Sequence, residues 1–106
     1  MKQLIVKYVS KSEFETIKRT LSELEEFDTT EQYALTVKVK NSSIIVICND
    51  PSLSKIEKSV ILWHEKAHAA GIMDEEEADM WTLTHLSTEA KELLKQNWKA
   101  RHGHEY

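Results

Sequence analysis

The spacing of apolar residues changes along the chain and divides the sequence into predicted strands and helices. Residues 3–9 (QLIVKYV) are rich in β-branched and aromatic side chains, which predicts an opening strand. The period then lengthens to three and four residues, and Ser10 with Glu13 has the form of a capping box, so a helix ending near Phe27 is predicted. The polar residues 28–32 are expected to connect it to the next element.

Two further strands follow. Residues 33–39 alternate between apolar and polar side chains, which is the period of a strand with one solvated face. Residues 43–48 (SIIVIC) form a short continuous apolar run, which predicts a more buried strand. Asn41 and Ser42 can turn the chain between them, so we expect these two strands to pair antiparallel.

The rest of the chain predicts helices. Ser54 and Glu57 have the spacing of a second capping box, and an apolar stripe at helical spacing follows them to Gly71, which is placed to end that helix. Asp74 can cap the next helix, expected over residues 75–86.

A last helix is expected to begin at Ser87 or Thr88, with residues 101–106 trailing off from it. This order of elements predicts an α+β fold: a small antiparallel sheet of about three strands, an N-terminal helix and a C-terminal set of helices. The helix before Gly71 would form a tight hairpin with the helix after it.

Length, charge and cysteine content narrow the class of protein. With 106 residues, of which 41% are hydrophobic, the chain is expected to form one domain spanning residues 1–106. Fourteen basic against 18 acidic residues give a net charge of -4 with no basic stripe, so nucleic acid is not the expected partner. The single cysteine, Cys48, excludes an internal disulfide, and no apolar stretch is long enough to span a membrane. We therefore expect a cytoplasmic protein.

The candidate chemistry lies in the stretch HEKAH. His64 and His68 are four residues apart, so on a helix they lie on one face and can present two imidazole nitrogens to one metal ion. Glu65 lies about 100° further round the helix, where its carboxylate can act as a base toward a water held by the metal.

A catalytic zinc ion also takes a third protein ligand and keeps an open position. We rank Glu75 first, because it should lie on the inward face of its helix, where an unpaired carboxylate would be costly. Asp74 is the alternative, since the stretch also fits HExxHxxGxxD. Asp79, one turn after Glu75, could accept the free N–H of a ligand histidine.

HEKAH followed by EEEAD resembles the zinc metallopeptidases called gluzincins, and looks most like a minimal version of the small ImmA/IrrE-type peptidases of bacteria and mobile elements. The resemblance implies that His64, His68 and Glu75 bind Zn²⁺ and that Glu65 is the general base. It also implies that the strand at residues 43–48 offers an edge on which a peptide substrate docks.

The function expected from these features is that of a zinc-dependent peptidase, a single minimal zincin-like domain that hydrolyses a peptide bond of a peptide or protein substrate. The alternative is a catalytically inactive zincin-like module, with or without metal, that acts as a regulatory or protein-binding domain. Neither reading involves nucleic acid or a membrane.

Overall fold

The structure, a computed structural model, describes residues 3–22, 33–39 and 41–106 and confirms the α+β class. Within these residues the elements are, in chain order, β1 (Gln3–Val9), α1 (Lys11–Ser22), β2 (Ala34–Val39), β3 (Ser42–Cys48), α2 (Lys55–Ala69), α3 (Glu75–Leu83), α4 (Thr88–Gln96) and α5 (Trp98–His102). The chain divides into two compact units, Met1–Ser52 and Leu53–Tyr106. The organisation of residues 1–106 as one domain stays a prediction.

The sheet of the first unit is mixed rather than wholly antiparallel. Its strand order is β1-β3-β2, with β2 antiparallel and β1 parallel to β3. The short turn before β3 forces β2 and β3 to run in opposite directions, whereas the longer connection that begins with α1 leaves the direction of β1 free. The predicted pairing of β2 with β3 is confirmed, and the prediction that all strands are antiparallel is wrong.

The central place of β3 overturns the expectation of a docking edge. Along β3, Ser42–Cys48 pairs with β1 on one side, and residues 42–47 pair with β2 on the other. β3 is the most buried strand of the three and has no free edge for a peptide. Its continuous apolar sequence, which predicted burial, is typical of a strand buried on both faces, and residues 45–48 are all buried.

Helix α1 packs on one face of this sheet. Ser10 caps it by accepting a hydrogen bond from the backbone N–H of Glu13 at 3.1 Å. Phe14 on α1 is fully buried and packs with Leu35, Val46 and Cys48, and burial raises the pKa of the Cys48 thiol. The predicted end of the helix near residue 27 and the connector at residues 28–32 lie outside the described residues.

The second unit is helical and has its own apolar core. Six buried side chains form it: Val60, Leu83, Leu86, Ala90, Leu94 and Trp98. Helix α3 ends at Leu83 rather than near residue 86, because the Thr84 hydroxyl donates to the carbonyl of Trp81 at 2.6 Å and competes with continuation of the helix. The predicted last helix is divided at Asn97, whose side-chain amide donates to the carbonyl of Leu93 at 3.0 Å.

A glycine turn makes the predicted hairpin of α2 and α3. Gly71 has a φ of 101°, which a residue with a side chain rarely adopts. The N–H of Gly71 donates to the carbonyl of His68, and the N–H of Ile72 to that of Ala67, both at 3.0 Å. These are the two bonds of a Schellman motif, which ends α2 and reverses the chain toward Asp74, the N-cap of α3.

No helix in the described part of the chain combines the length and the apolar character needed to cross a membrane.

The capping box that begins α2 gives a stability test. Ser54 accepts from the N–H of Glu57 at 3.1 Å, and the Glu57 carboxylate accepts from the N–H of Ser54 at 3.0 Å. Ser54→Ala should lower the free energy of unfolding by about 1 kcal/mol, because an orphan N–H of the first turn loses its acceptor. Urea unfolding followed by circular dichroism measures this. The exposed Ser52 provides the control, and equal losses in Ser52→Ala and Ser54→Ala would contradict the assignment.

Candidate metal centre

Helix α2 presents two histidines on one face. The side chains of His64 and His68 are 9% and 12% exposed, and their Nε2 atoms lie 3.0 Å apart. The four-residue spacing on one helix brings the two rings together, as the sequence predicted. Neither ring is turned out to solvent.

Glu75, at the start of α3, completes the group. One carboxylate oxygen lies 2.8 Å from the Nε2 of His64, and the other lies 3.3 Å from the Nε2 of His68. His64, His68 and Glu75 therefore form a candidate metal site, with one ligand atom from each residue and all of these atoms within 4.8 Å of one another.

The spacing fits a transition-metal ion. Metal–nitrogen bonds of about 2.0–2.1 Å in a tetrahedral site separate neighbouring ligand atoms by roughly 3.3 Å. The separations of 2.8, 3.0 and 3.3 Å at this site lie within roughly 0.5 Å of that value. Two imidazoles and a carboxylate are also a donor set that suits zinc and its neighbours among the divalent metals.

The δ nitrogen of each imidazole is hydrogen-bonded, which fixes the role of the ε nitrogen. His64 Nδ1 donates to the carboxylate of Asp79 at 2.7 Å, and His68 Nδ1 donates to the backbone carbonyl of Ile72 at 2.7 Å. In a neutral imidazole with its proton on Nδ1, the Nε2 atom carries a lone pair. Both Nε2 atoms and the Glu75 carboxylate are then electron-pair donors that face one another.

Three such donors in contact require a positive charge between them. In the absence of a metal ion, a proton held by one of the imidazoles can supply that charge. Burial works to lower the pKa of His64, but the hydrogen bond and charge of Asp79 and the charge of Glu75 outweigh burial, so the pKa of His64 is raised. A divalent ion would satisfy the same three donors in place of the proton.

Glu75 occupies the predicted position for a different reason from the one expected. Its side chain is 58% exposed, so the expectation that it is buried is wrong. Farther along the same face of α3, Ala78, Asp79 and Thr82 are fully buried. Glu75 belongs to the site because its carboxylate reaches both imidazoles from the first turn of the helix.

Asp74, the alternative ligand, has another partner. Its carboxylate accepts a hydrogen bond from the N–H of Glu77 at 2.9 Å and so caps α3. The described cluster contains Glu75 and not Asp74.

Asp79 forms the predicted contact with His64, one of the candidate ligands, and also contacts Arg101 and His102. Its carboxylate is fully buried and accepts from four donors. One oxygen accepts from His64 Nδ1 at 2.7 Å and from Arg101 Nη2 at 2.9 Å, and the other from Arg101 Nε and His102 Nε2, both at 2.6 Å. Burial works to raise the pKa of Asp79, but the hydrogen bonds from His64 and Arg101 and the charge of Arg101 outweigh it and hold the pKa well below its usual range.

The C-terminal residues therefore do not trail off. Residues 98–102 form α5, and its last two side chains reach Asp79; the His102 side chain is only 6% exposed. Farther along, His104 pairs with Glu76 at 2.7 Å. The roles of Arg101 and His102 could not be predicted from the sequence, because nothing in the local pattern relates them to an acid more than twenty residues earlier. For the contact of the Ile72 carbonyl with His68, the one signal in the sequence is Gly71, which predicts that the chain reverses direction at the end of α2.

Glu65, the predicted general base, directly follows His64 on α2 and is buried, with 3% of its surface exposed. Its role in catalysis stays a prediction.

Comparison of the chain with protein-family models, with curated proteins and with solved structures gives no match. The site and the motif that it contains are therefore the basis for a proposed function.

The choice between Asp74 and Glu75 can be tested by metal content. Glu75→Gln should weaken zinc binding at least about 100-fold, because loss of a direct ligand should exceed the ~10–100-fold cost of losing an outer partner. Asp74→Ser keeps an N-cap and should bind zinc like the parent chain. Elemental analysis after equilibrium dialysis and a chelator competition measure both.

The exposed Glu77, in the same helical turn, supplies the control: Glu77→Gln should not change zinc affinity. Loss of zinc in Asp74→Ser with retention in Glu75→Gln would reverse the assignment.

Proposed function

We propose that this protein is a zinc-dependent peptidase in which His64, His68 and Glu75 hold the ion and Glu65 is the general base. The observation that carries the proposal is the convergence of the two histidines of HEKAH with a carboxylate of the next helix. The sequence HExxH on a helix supplies two ligands and a base from one stretch of chain. The donor set and its spacing fit zinc, and zinc is the ion of the peptidases that the motif resembles.

The number of ligands favours catalysis over a purely structural role. Structural zinc sites are usually closed by four protein ligands, whereas catalytic sites use three and leave a position for water or substrate. Three residues converge within the described part of the chain. The 58% exposure of the Glu75 side chain also leaves this side of the site accessible to solvent.

When bound, zinc polarises a substrate carbonyl and makes water a better nucleophile near neutral pH. Each residue has a defined part in the hydrolysis. Glu65 accepts a proton as the water oxygen attacks the peptide carbonyl carbon, and returns it to the nitrogen when the C–N bond breaks. The products are a carboxylate and an amine. Asp79 and the Ile72 carbonyl hold the two imidazoles in the tautomer that presents Nε2.

A second candidate is a metal-holding module that binds a partner protein without catalysis. The observation in its favour is the burial of Glu65, which is 3% exposed. A general base must contact the water that it activates, and burial restricts that contact. The two candidates share the metal site and differ in what Glu65 does.

Glu65→Gln separates them. The variant should bind zinc like the parent chain but hydrolyse peptides about 10²–10⁴-fold more slowly, because an amide cannot take up the proton. A mixture of synthetic peptides of known sequence, analysed by mass spectrometry before and after incubation, detects cleavage.

The exposed Glu92 on α4 is the matched control, and Glu92→Gln should cleave at the parent rate. Cleavage by Glu65→Gln at that same rate would refute the role of Glu65. No cleavage by the zinc-loaded parent chain would favour the metal-holding module.

Removal of the ion tests whether it serves structure. The core of the second unit is made of apolar side chains that do not include the three ligands, so we expect helices α2 to α5 to persist in the presence of a chelator. The midpoint of thermal unfolding should fall only as mass action requires. Circular dichroism measures this, and so does tryptophan fluorescence, to which Trp63, Trp81 and the buried Trp98 contribute.

Glu75→Gln, with its weakened site, should respond little to the chelator and controls for other effects of the reagent. Loss of the helical signal from the parent chain would instead indicate a structural metal.

A further inference from the structure

The carboxylate of Asp79 is saturated. An ionised carboxylate offers about four lone-pair positions, and four N–H groups from three side chains occupy them. Arg101 supplies two of these, one to each oxygen, a geometry that fixes the plane of the carboxylate as well as its position. His102 and His64 then bind at opposite oxygens, so the direction of the His64 ring depends on contacts made by α5.

Arg101 also places a permanent positive charge against Asp79. Its guanidinium contacts the fully buried carboxylate at 2.6 Å and 2.9 Å, and a two-pronged, charge-assisted pair of this kind resists rotation of the carboxylate.

We propose that Arg101 and His102 are positioning residues of the metal site, which raise the affinity for zinc by holding the carboxylate of Asp79 fixed in position and orientation. Neither residue supplies a ligand atom. Arg101 Nη2 lies 3.4 Å from His64 Nδ1, but both nitrogens donate to Asp79, so Arg101 acts on His64 through the carboxylate that they share. The inference rests on the metal-binding part of the proposed function and does not depend on peptide hydrolysis. It makes α5 part of the metal centre, although α5 begins more than twenty residues after the last ligand.

The proposal predicts a graded loss of zinc affinity in the full chain. Arg101→Met should weaken zinc binding about 10–100-fold, the usual cost of removing an outer partner of a ligand histidine. Arg101→Lys keeps the charge but not the two-pronged contact and should lose less. His102→Gln keeps an N–H donor and should lose least. Competition with a chromophoric chelator gives the dissociation constants, and circular dichroism checks that each variant is folded.

Lys99 supplies the matched control, since it is exposed on the same helix and carries the same charge as Arg101. Lys99→Met should bind zinc like the parent chain. This control separates contact with Asp79 from a general loss of positive charge near the site.

A double-mutant cycle distinguishes positioning from a merely structural effect. If Arg101 acts through Asp79, Arg101→Met should change zinc affinity less than about 3-fold in an Asp79→Asn background, because the coupled residue is gone. Cobalt substitution gives a second readout, since the visible absorption of bound Co²⁺ should shift in Arg101→Met and not in Lys99→Met. If Asp79→Asn does not fold, the order of the three single variants and the cobalt spectra decide the matter.

The outcomes separate this inference from the proposed function. Equal zinc affinity in the parent chain and in all three variants overturns the inference alone. A parent chain that binds zinc and loses affinity in the predicted order supports the inference, even where no peptide is cleaved. A parent chain that binds no zinc overturns both.

Discussion

Three electron-pair donors meet at one point of the second unit, and that arrangement is stable only with a positive charge between them. The ε nitrogens of His64 and His68 and the carboxylate of Glu75 lie 2.8 to 3.3 Å apart. Because the δ N–H groups donate hydrogen bonds to Asp79 and to the carbonyl of Ile72, the lone pairs of the ε nitrogens remain available to whatever cation is present. A proton and a metal ion would occupy the same space, so a metal ion can bind at this site only when the ε nitrogens are deprotonated.

The turn between α2 and α3 makes this convergence achievable in a short stretch of chain. Only six residues separate His68 from Glu75. The left-handed conformation of Gly71 ends α2 and returns the carbonyl of Ile72 to His68, and Asp74 starts α3 so that the first residue of that helix faces the imidazoles. The C-terminal turn of α2 and the N-cap of α3 satisfy the backbone hydrogen bonds of the two helix ends. The same two features position the candidate ligands, so the hairpin and the site are one structural unit.

The sequence predicted most reliably what depends on neighbours along the chain. The capping residue Ser54, the turn at Gly71 and the pairing of the two histidines are set by interactions over three or four residues, and all three are found. The errors lie where distant segments decide. The parallel direction of β1, the covered edges of β3 and the reach of residues 101 and 102 to Asp79 depend on which segments meet in space, which spacing alone does not encode. The exposure of Glu75 was missed because a helical periodicity gives the face but not the depth of burial at a helix end.

The acidic residues of the site differ in exposure, and that difference bears on what a bound ion could do. Asp79 is fully buried and saturated with donors, as suits a residue that orients a ligand and stays fixed. The Glu75 side chain is 58% exposed, so an ion that it holds would face solvent. An open coordination position of this kind is typical of catalytic ions, whereas structural ions are usually enclosed by protein ligands. Glu65 is buried beside His64, and water must reach its carboxylate for it to act as a base. The exposure of the metal-side carboxylate therefore argues for chemistry at the ion, and the chemistry is that of a peptidase only if Glu65 shares the water that the ion holds.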